Sequence, residues 1–242
     1  MPEVVALFGP TGVGKTAVAL ELADLLRERG EEPVAVGADA LQVYEGLQVL
    51  TGAAGPAERE RLEHRLVGVV SITEKFDVGQ YMPRAHAEID AALDAGRRPI
   101  VVGGTGLYLR AAIADLSLER AAPGEDSELW SEETRHPTVL VGLTMERGLL
   151  YQRIESRVEA IVAGGAEAEV RAAEAAGPSR TARKALGFDE LLAGDVQELK
   201  KRSRNYARRQ LAWMRKMAGL REVDVSGRPE ADVAEEVAEM LA

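Results

Sequence analysis

The sequence has 242 residues, of which 46% are hydrophobic and 29% are charged, an ordinary composition for a soluble globular chain with one sizeable domain. It contains no cysteine, which excludes disulfide bridges and thiolate metal sites and fits a cytoplasmic setting. No apolar run approaches the ~20 residues of a membrane span, and the first predicted strand begins so early that we expect no signal peptide. The formal charge of −10 argues against nucleic-acid binding by most of the surface.

The charge is distributed unevenly along the chain. Residues 195–217 contain eight basic and two acidic side chains, so this segment carries +6 and the remainder of the chain carries −16. A basic helix on an acidic body can bind a polyanion at one place and repel it elsewhere, and a solvated helix face explains the same charges equally well. The basic residues are Lys200, Lys201, Arg202, Arg204, Arg208, Arg209, Arg215 and Lys216.

The first motif in chain order is a glycine-rich loop between an apolar run, Val4 to Phe8, and an amphipathic run, Ala17 to Leu26. This order of strand, loop and helix, with the loop's spacing, indicates a phosphate-binding loop that surrounds an anion with backbone N–H groups and a helix N-terminus. Lys15 supplies a charge for the terminal phosphate, and the Thr16 hydroxyl is a candidate magnesium ligand, so we expect a di- or triphosphate ligand. This phosphate loop consists of Gly9, Pro10, Thr11, Gly12, Val13, Gly14, Lys15 and Thr16.

A carboxylate follows the second predicted strand. Val34 to Val36 is typical of a buried strand, and it leads through two small residues to Asp39. Because open α/β sheets bind ligands at the carboxyl ends of their strands, we expect Asp39 to lie near the phosphate loop. Its residue type leaves three roles open: magnesium ligand, general base, or helix N-cap without chemistry.

A second glycine-rich segment follows the predicted buried strand Pro99 to Val102. This glycine-threonine turn, residues 103–106, has glycines and Thr105 where motor proteins and GTPases usually carry an aspartate for magnesium. The glycines allow close approach of the backbone to a ligand, and Thr105 offers a neutral hydroxyl. A tight strand-to-helix turn without ligand contact is the alternative interpretation.

The remaining pattern predicts an α/β fold: a P-loop-type parallel sheet flanked by helices, with a reduced helical insertion and a helical C-terminal part. We expect residues 1–116 to form the first part of the core, 117–137 a shortened insertion or linker, and 138–242 the rest of the core with the basic helix. Further strands are predicted at 67–70, 138–143 and 221–225. Further helices are predicted at 57–66, 77–96, 107–116, 146–163, 166–176, 182–193, 195–217 and 230–241, with Asp77 and Gln80 as a capping box.

Two features of the predicted helices have more than one interpretation. Arg153 and Arg157 share one helix face, which suits diphosphate binding, and surface ion pairs with Glu146, Glu155 or Glu159 explain the spacing equally well. A stripe at helical spacing in the basic segment favours core packing over a platform for stacked bases. The stripe consists of Tyr206, Gln210, Trp213 and Met217.

Taken together, the motifs resemble those of the tRNA dimethylallyltransferase family of tRNA-modifying enzymes. A phosphate loop alone would be unspecific, but this set occurs in the family's order and covers most of the chain. The matching segments are 9–16, 38–44 (Ala-Asp-Ala-Leu-Gln-Val-Tyr), 101–108 (Val-Val-Gly-Gly-Thr-Gly-Leu-Tyr), 152–157 (Gln-Arg-Ile-Glu-Ser-Arg), 185–188 (Ala-Leu-Gly-Phe) and 206–213 (Tyr-Ala-Arg-Arg-Gln-Leu-Ala-Trp).

The resemblance implies that the phosphate loop holds the diphosphate of dimethylallyl diphosphate, with Mg²⁺ at Thr16, and hydrolyses no nucleotide. The exocyclic amine of the adenine beside the tRNA anticodon then attacks the allylic carbon while Asp39 accepts its proton. Lys15 and Arg157 stabilise the leaving diphosphate, and Thr105 hydrogen-bonds near the reacting amine or a phosphate oxygen. We expect a monomer. The expected tRNA-binding residues are Asp39, Ala40, Leu41, Gln42, Thr105, Lys184, Phe188, Arg204 and Arg208.

One departure from the family keeps other functions open. Family members carry a larger, Arg-rich helical insertion that grips the anticodon stem-loop, whereas residues 117–137 form a short polar segment. Either the basic helix and residues 184–188 suffice for tRNA, which the +6 charge favours, or the acceptor is smaller, as in adenylate isopentenyltransferases that modify free AMP, ADP or ATP. An ATP-using small-molecule or nucleotide kinase and a non-catalytic RNA-binding protein are the remaining alternatives.

Overall fold

A six-stranded sheet forms the centre of the protein in a computed structural model that describes residues 3–117 and 128–241. The strands are β1 (Val4–Phe8), β2 (Pro33–Gly37), β3 (His64–Arg65), β4 (Arg98–Gly103), β5 (Thr138–Thr144) and β6 (Arg221–Asp224). They lie in the order β3-β2-β4-β1-β5-β6, and all five pairings are parallel. Parallel neighbours need crossover connections, which here are helical, so the predicted α/β fold is confirmed.

Helices connect and cover the strands. Asp77 caps one of them by accepting hydrogen bonds from the N–H groups of Gly79 (3.1 Å) and Gln80 (3.4 Å), which confirms the predicted N-cap. The α-helices are α1 (Lys15–Glu28), α2 (Gln48–Thr51), α3 (Pro56–Arg61), α4 (Val78–Asp94), α5 (Gly106–Ile113), α6 (Arg147–Ala163), α7 (Ala166–Ala175), α8 (Phe188–Leu192), α9 (Val196–Met214) and α10 (Glu230–Glu239). Short 3₁₀ helices occur at Glu128–Trp130 and Ala182–Lys184.

The central strand β1 anchors the phosphate loop. Its side chains alternate between two cores: Val4, Ala6 and Phe8 pack with α4 and α5, whereas Val5 and Leu7 pack with α1 and α10. All five residues are buried, as expected for a strand covered on both faces. Because burying each of the larger side chains contributes roughly 1.5–3 kcal/mol, the loop leaves the sheet from one of its most firmly held points.

Three predicted elements differ from the structure. The helix predicted at 57–66 is too long, because α3 ends at Arg61 and His64–Arg65 form β3. The predicted strand at 67–70 is wrong: β3 lies at His64–Arg65, and Leu66 then turns the chain out of the sheet with a positive φ of 57°. The predicted helix 182–193 is interrupted at Gly187, which adopts a φ of 101°. A Cβ at this glycine would lie 2.8 Å from Leu50, so both the turn and the packing explain the break.

The expected insertion, 117–137, lies between α5 and β5, and its residues 118–127 lie outside the described part of the chain. Its described end returns to the core, because the Arg135 N–H donates to the carbonyl of Ile113 at 2.9 Å. The division into three parts stays a prediction. Within the described ranges no helix combines the length and the apolar character that crossing a membrane requires, and the cytoplasmic setting stays a prediction.

Candidate active site

The phosphate loop leads directly into α1. Gly14 precedes the helix with a left-handed φ of 103°, a conformation that residues with side chains rarely adopt. Lys15 is the first helical residue, and its Nζ donates hydrogen bonds to the carbonyl oxygens of Gly9 (2.9 Å) and Pro10 (3.0 Å). The first N–H groups of α1 have no acceptor within the helix, so an anion in front of the loop suits them.

A cavity of about 430 Å³ opens in front of the loop. Its polar side includes Asp39, Gln42 and Arg157 beside the loop, so groups from three distant segments of the sequence meet there. The loop residues on its wall are Thr11, Gly12, Gly14, Lys15 and Thr16. The apolar residues on its wall include Leu41, Leu50, Ile154, Val158, Ile161, Leu186 and Leu199. One space therefore combines an anion site with an apolar surface.

Asp39 lies just beyond the carboxyl end of β2, where it closes a turn and also lies on the cavity wall. Its Oδ1 accepts hydrogen bonds from the N–H groups of Leu41 (2.9 Å) and Gln42 (3.4 Å), which closes a tight turn over residues 39–42, the Asp39 turn. The carboxylate also lies on the cavity wall, where its charge acts on Lys15 and Arg157. The bonds within the turn use Oδ1, and the second carboxylate oxygen gives the group a further site for accepting a proton.

Arg153 and Arg157 of α6 lie at different depths. The Nη2 of Arg157 donates to the carbonyl of Thr51 at 2.7 Å, and burial lowers the pKa of this guanidinium. Arg153 is 46% exposed and bonds the Val13 carbonyl (3.3 Å) and the Glu230 carboxylate (3.2 Å). Arg157 is therefore a partly buried cation on the cavity wall, and Arg153 is the more exposed of the two.

Lys15 has an unusual acid–base character for a lysine. Burial, together with the nearby positive charge of Arg157, lowers its pKa to about 8, although the Asp39 carboxylate opposes this change. Two cations forced together in a partly dehydrated cavity repel each other, and an anion between them would relieve that repulsion. The electrostatics of the cavity therefore favour a strongly negative ligand.

The lowered pKa predicts pH-dependent binding of inorganic pyrophosphate. A bound anion favours protonated Lys15, whereas the unliganded site loses this proton above about pH 8. We therefore expect the dissociation constant, measured calorimetrically, to rise as the pH increases from 8 to 9.5. Lys15→Arg is the control, because arginine keeps its charge and the ligand's own titration affects both proteins equally. Identical pH profiles for the two proteins would contradict the assignment.

The glycine-threonine turn owes its glycines to packing. A Cβ at Gly103 would lie 2.0 Å from the carbonyl oxygen of Ala38, and one at Gly106 would lie 2.2 Å from the Trp213 ring. A Cβ at Gly104 would lie 2.3 Å from the Nε2 of Gln210. The turn is thus pressed against the Asp39 turn and α9, which is a stronger constraint than the expected close approach of a ligand.

Thr105 and Ala40 hold the neighbouring turns together. The Ala40 N–H donates to Thr105 Oγ1 at 3.3 Å, and Tyr206 of α9 also hydrogen-bonds the Thr105 side chain. Burial and the Asp39 charge raise the pKa of Tyr206 to about 12, so its hydroxyl stays protonated at neutral pH. Asp39, Leu41 and Gln42 lie on the cavity wall, whereas Ala40 and Thr105 lie behind it and link the two turns.

Sequence reasoning assigned Tyr206 and Gln210 to a packing stripe, and the structure places both on the cavity wall. Gln210 is only 4% exposed and bonds both glycine-rich segments, and Trp213 packs on Gly106. Met217 belongs to the core, as expected. The available signal was a glutamine with no apolar character inside an otherwise aromatic and apolar stripe.

The basic charges of α9 are largely compensated along its N-terminal half. Lys200 pairs with Glu159 (2.5 Å) and Arg204 with Glu155 (2.6 Å), so two glutamates expected to pair with the α6 arginines bond to α9 instead. The third, Glu146, caps α6. Lys201 pairs with Glu198, and Arg202 pairs with Glu190. The +6 of the isolated segment is therefore much reduced in the folded protein.

The expected tRNA-binding residues outside the cavity have different surroundings. Lys184 and Arg208 are exposed, and Arg208 hydrogen-bonds Asn205. The expected contact of Phe188 with tRNA needs correction, because its ring is fully buried in the core with the Arg183 guanidinium 5.4 Å above it. The structure thus assigns Phe188 to packing.

The chain is similar to a known protein family over most of its length. The family model described as "IPP transferase" matches residues 42–136 and 124–217, which together cover most of the chain. The chain belongs to the IPP transferase family. The two matched segments of the chain overlap at residues 124–136, within the expected insertion.

Named relatives are similar over most of their length. A tRNA dimethylallyltransferase of Kineococcus radiotolerans is 33% identical, and one of Rhodospirillum centenum is 35% identical, each alignment covering 88% of both chains. The first alignment has 282 positions, which is more than the 242 residues of this chain. The alignment therefore contains gaps in this chain. The full-length tRNA isopentenylpyrophosphate transferase of Bacillus halodurans superposes with a TM-score of 0.86 at 26% identity, covering 99% of this chain and 95% of that one. These likenesses favour neither the kinase nor the free-adenylate alternative.

Proposed function

We propose that the protein transfers a dimethylallyl group from dimethylallyl diphosphate to the exocyclic amine of the adenine next to the anticodon in tRNA. The observation that carries the proposal is the single cavity in which the phosphate loop, Arg157, Asp39 and an apolar wall meet. A phosphate loop alone serves many reactions, but an apolar wall beside it suits a hydrocarbon attached to a diphosphate. The names and similarity of the relatives point to the same reaction.

On the donor side, the cavity stabilises charge that grows as the allylic C–O bond breaks. The electron pair of that bond leaves with the diphosphate, and N–H groups at the start of α1, Lys15 and Arg157 lie around the space it would occupy. Lys15 is held by the Gly9 and Pro10 carbonyls, so its charge is preoriented toward the loop. The apolar wall at Leu50 would contact the hydrocarbon and exclude water from the allylic carbon.

On the acceptor side, the Asp39 carboxylate accepts the amine proton as the new C–N bond forms. An adenine amine is a weak nucleophile, so orientation and proton acceptance by a fixed carboxylate both increase its reactivity. Asp39 is fixed by its own turn, and the turn is fixed in place by the bond from Ala40 to Thr105. To reach this carboxylate, the base must leave the stack of the anticodon loop.

The residues present also fit a magnesium ion carried with the diphosphate. Thr16 and Asp39 offer oxygen atoms on the same wall, while no group of three or more histidine and carboxylate side chains within residues 3–117 and 128–241 forms a complete metal site. Mg²⁺ usually binds through one or two protein oxygens plus substrate phosphates. When bound at Thr16, it would add positive charge to the leaving group.

For tRNA binding we propose the exposed cations in the C-terminal half of α9. Arg208 is exposed and Arg209 lies 5.4 Å over the Tyr206 ring, beside the cavity, whereas Lys200 and Arg204 are engaged by glutamates. Lys184 adds an exposed cation on the preceding 3₁₀ helix. The expected monomeric state stays a prediction.

This assignment makes a prediction with a matched pair of variants. Arg208→Gln should weaken tRNA binding and reduce the slope of log affinity against log salt by about one. Arg204→Gln, one turn earlier on the same helix, should change the slope little, because Glu155 already neutralises this arginine. Binding titrations over a range of KCl concentrations measure both slopes. Equal slope changes in the two variants would contradict the assignment.

A donor-dependent release assay tests the reaction class. Purified protein with Mg²⁺, tRNA and dimethylallyl diphosphate should release one diphosphate per prenyl group transferred, and omitting tRNA should stop the release. Adding ATP in place of the prenyl donor should release no phosphate. Phosphate transfer from ATP to a small acceptor would refute the proposal and support the kinase alternative.

A further inference from the structure

Gln210 connects the two glycine-rich segments of the site. Its Oε1 accepts a hydrogen bond from the Thr11 N–H at 2.8 Å, and its Nε2 donates to the Gly104 carbonyl at 2.8 Å. The side chain reaches from α9 across the edge of the sheet, and it is only 4% exposed. One buried amide therefore joins the phosphate loop to the glycine-threonine turn.

The chemistry of the two partners determines the orientation of this amide. A backbone N–H needs an acceptor and a carbonyl needs a donor, so Oε1 must face Thr11 and Nε2 must face Gly104. Glutamate lacks the donor at neutral pH, methionine lacks both groups, and asparagine is one methylene shorter. The position thus requires the length and the paired donor and acceptor of glutamine.

The hydrogen bond to Gln210 also determines where the Thr11 N–H is directed. Its N–H is directed to Gln210, and Pro10 has no N–H, so the diphosphate would be held by the later amides of the loop and by Lys15. A loop released from Gln210 could rotate the Thr11 peptide and change the shape of the anion site. Gln210 therefore acts on the loop through the Thr11 peptide, on the wall of the cavity.

We propose that Gln210 is a positioning residue that sets the distance between the leaving diphosphate and the Asp39 carboxylate. The connection runs from the phosphate loop through Gln210 to Gly104, and from the adjacent Thr105 to the N–H of Ala40 in the Asp39 turn. The connection consists of three hydrogen bonds between segments far apart in sequence and one covalent step, from Gly104 to Thr105; two of the three bonds are made by Gln210 of α9. The inference rests on the transfer reaction proposed above.

A double-substitution cycle tests the proposal through inorganic pyrophosphate binding and prenyl transfer. Gln210→Ala removes the side-chain amide. Gly104→Ala places a Cβ 2.3 Å from the position of the Gln210 Nε2. Each substitution alone should raise the pyrophosphate dissociation constant about tenfold and lower kcat about 10- to 100-fold, as expected for misplaced reacting groups, with the KM for tRNA near the wild-type value. In the Gln210→Ala background, Gly104→Ala should add less than about twofold, because the clashing group is gone.

Met214→Ala controls for lost stability. Met214 is a buried residue of the same helix, but its sulfur faces Gly142 of β5 rather than the cavity. This variant should lower the melting temperature and leave the pyrophosphate dissociation constant unchanged. Normal binding and turnover in Gln210→Ala, or strictly additive effects in the cycle, would overturn the proposal. A wild-type protein that binds pyrophosphate but transfers nothing to tRNA would instead overturn the proposed function, while the binding cycle would still test Gln210.

Discussion

Lys15→Met is expected to lower kcat for prenyl transfer by about 10²- to 10³-fold, the usual effect of removing one preoriented group that stabilises a leaving charge. Lys15 acts on both bound and departing diphosphate, so the donor KM should rise as well. The physical reason is the placement of its charge beside the loop and Arg157, on the wall of the cavity. Steady-state kinetics with saturating tRNA measure both constants, and unchanged kinetics would remove the phosphate loop from the mechanism.

The same variant should not lose stability. The folded-state pKa of Lys15, about 8, lies below the value of 10.5 for an unperturbed lysine, so the unfolded chain binds more protons between these pH values. The charged form therefore destabilises the fold below pH 8, and this penalty falls as the pH rises toward 10.5. Lys15→Met removes the charge, so its melting temperature at pH 7 should equal or exceed that of the wild type. A clear decrease would show that Lys15 mainly supports the fold.

Asp39→Asn is expected to lower kcat by about 10²- to 10⁴-fold, the range for removal of a general base. The substitution isolates the charge, because the asparagine oxygen can still accept the bonds from the Leu41 and Gln42 N–H groups that close the turn. The pyrophosphate dissociation constant should stay equal or fall, since a negative charge near Lys15 and Arg157 is lost. Single-turnover transfer and calorimetry measure the two effects separately.

Two other outcomes for Asp39→Asn would each contradict its assigned role. A normal kcat would show that Asp39 only closes its turn and takes no part in the reaction. Weaker pyrophosphate binding with normal turnover would make it a contributor to the donor site. Asp77→Asn is a suitable control, because Asp77 likewise caps a turn with its Oδ1 but does so at the start of α4, on the exposed surface.

The donor side of the site is predictable from sequence because its signals are local. The phosphate loop is continuous, and apolar residues flank it on the strand side, as β1 confirms. Asp39 is predictable for a related reason, since a carboxylate after a buried parallel strand can only emerge at the ligand-binding edge of the sheet. The local sequence thus contains both the phosphate loop and the carboxylate that we propose as the base.

The acceptor side depends on contacts that no local pattern shows. Gln210 and Thr11 are 199 residues apart, and the glycine at 104 is explained by a side chain 106 residues later. Helical periodicity places Gln210 and Tyr206 on the buried face of α9, but it does not show that this face meets the cavity. Buried polar residues within such a stripe therefore deserve a functional interpretation beside the packing one.

The charge of α9 illustrates the same limit. Counting residues gives the segment +6 and suggests a polyanion site along its whole length. The carboxylates that neutralise Lys200 and Arg204 belong to α6, more than forty positions earlier in the chain. An arginine that is already paired with a carboxylate has little charge left for a phosphate. The fold is therefore needed to distinguish the exposed Arg208 from the paired Arg204 as a candidate tRNA contact.

The most direct test is a transfer assay with labelled dimethylallyl diphosphate and Mg²⁺, in which unmodified tRNA and AMP are offered side by side to the wild type and to Asp39→Asn. The account predicts that label enters tRNA alone, at the adenine next to the anticodon, and that the variant is almost inactive. Label in AMP alone would contradict the tRNA assignment and would make the exposed cations of α9 a surface feature.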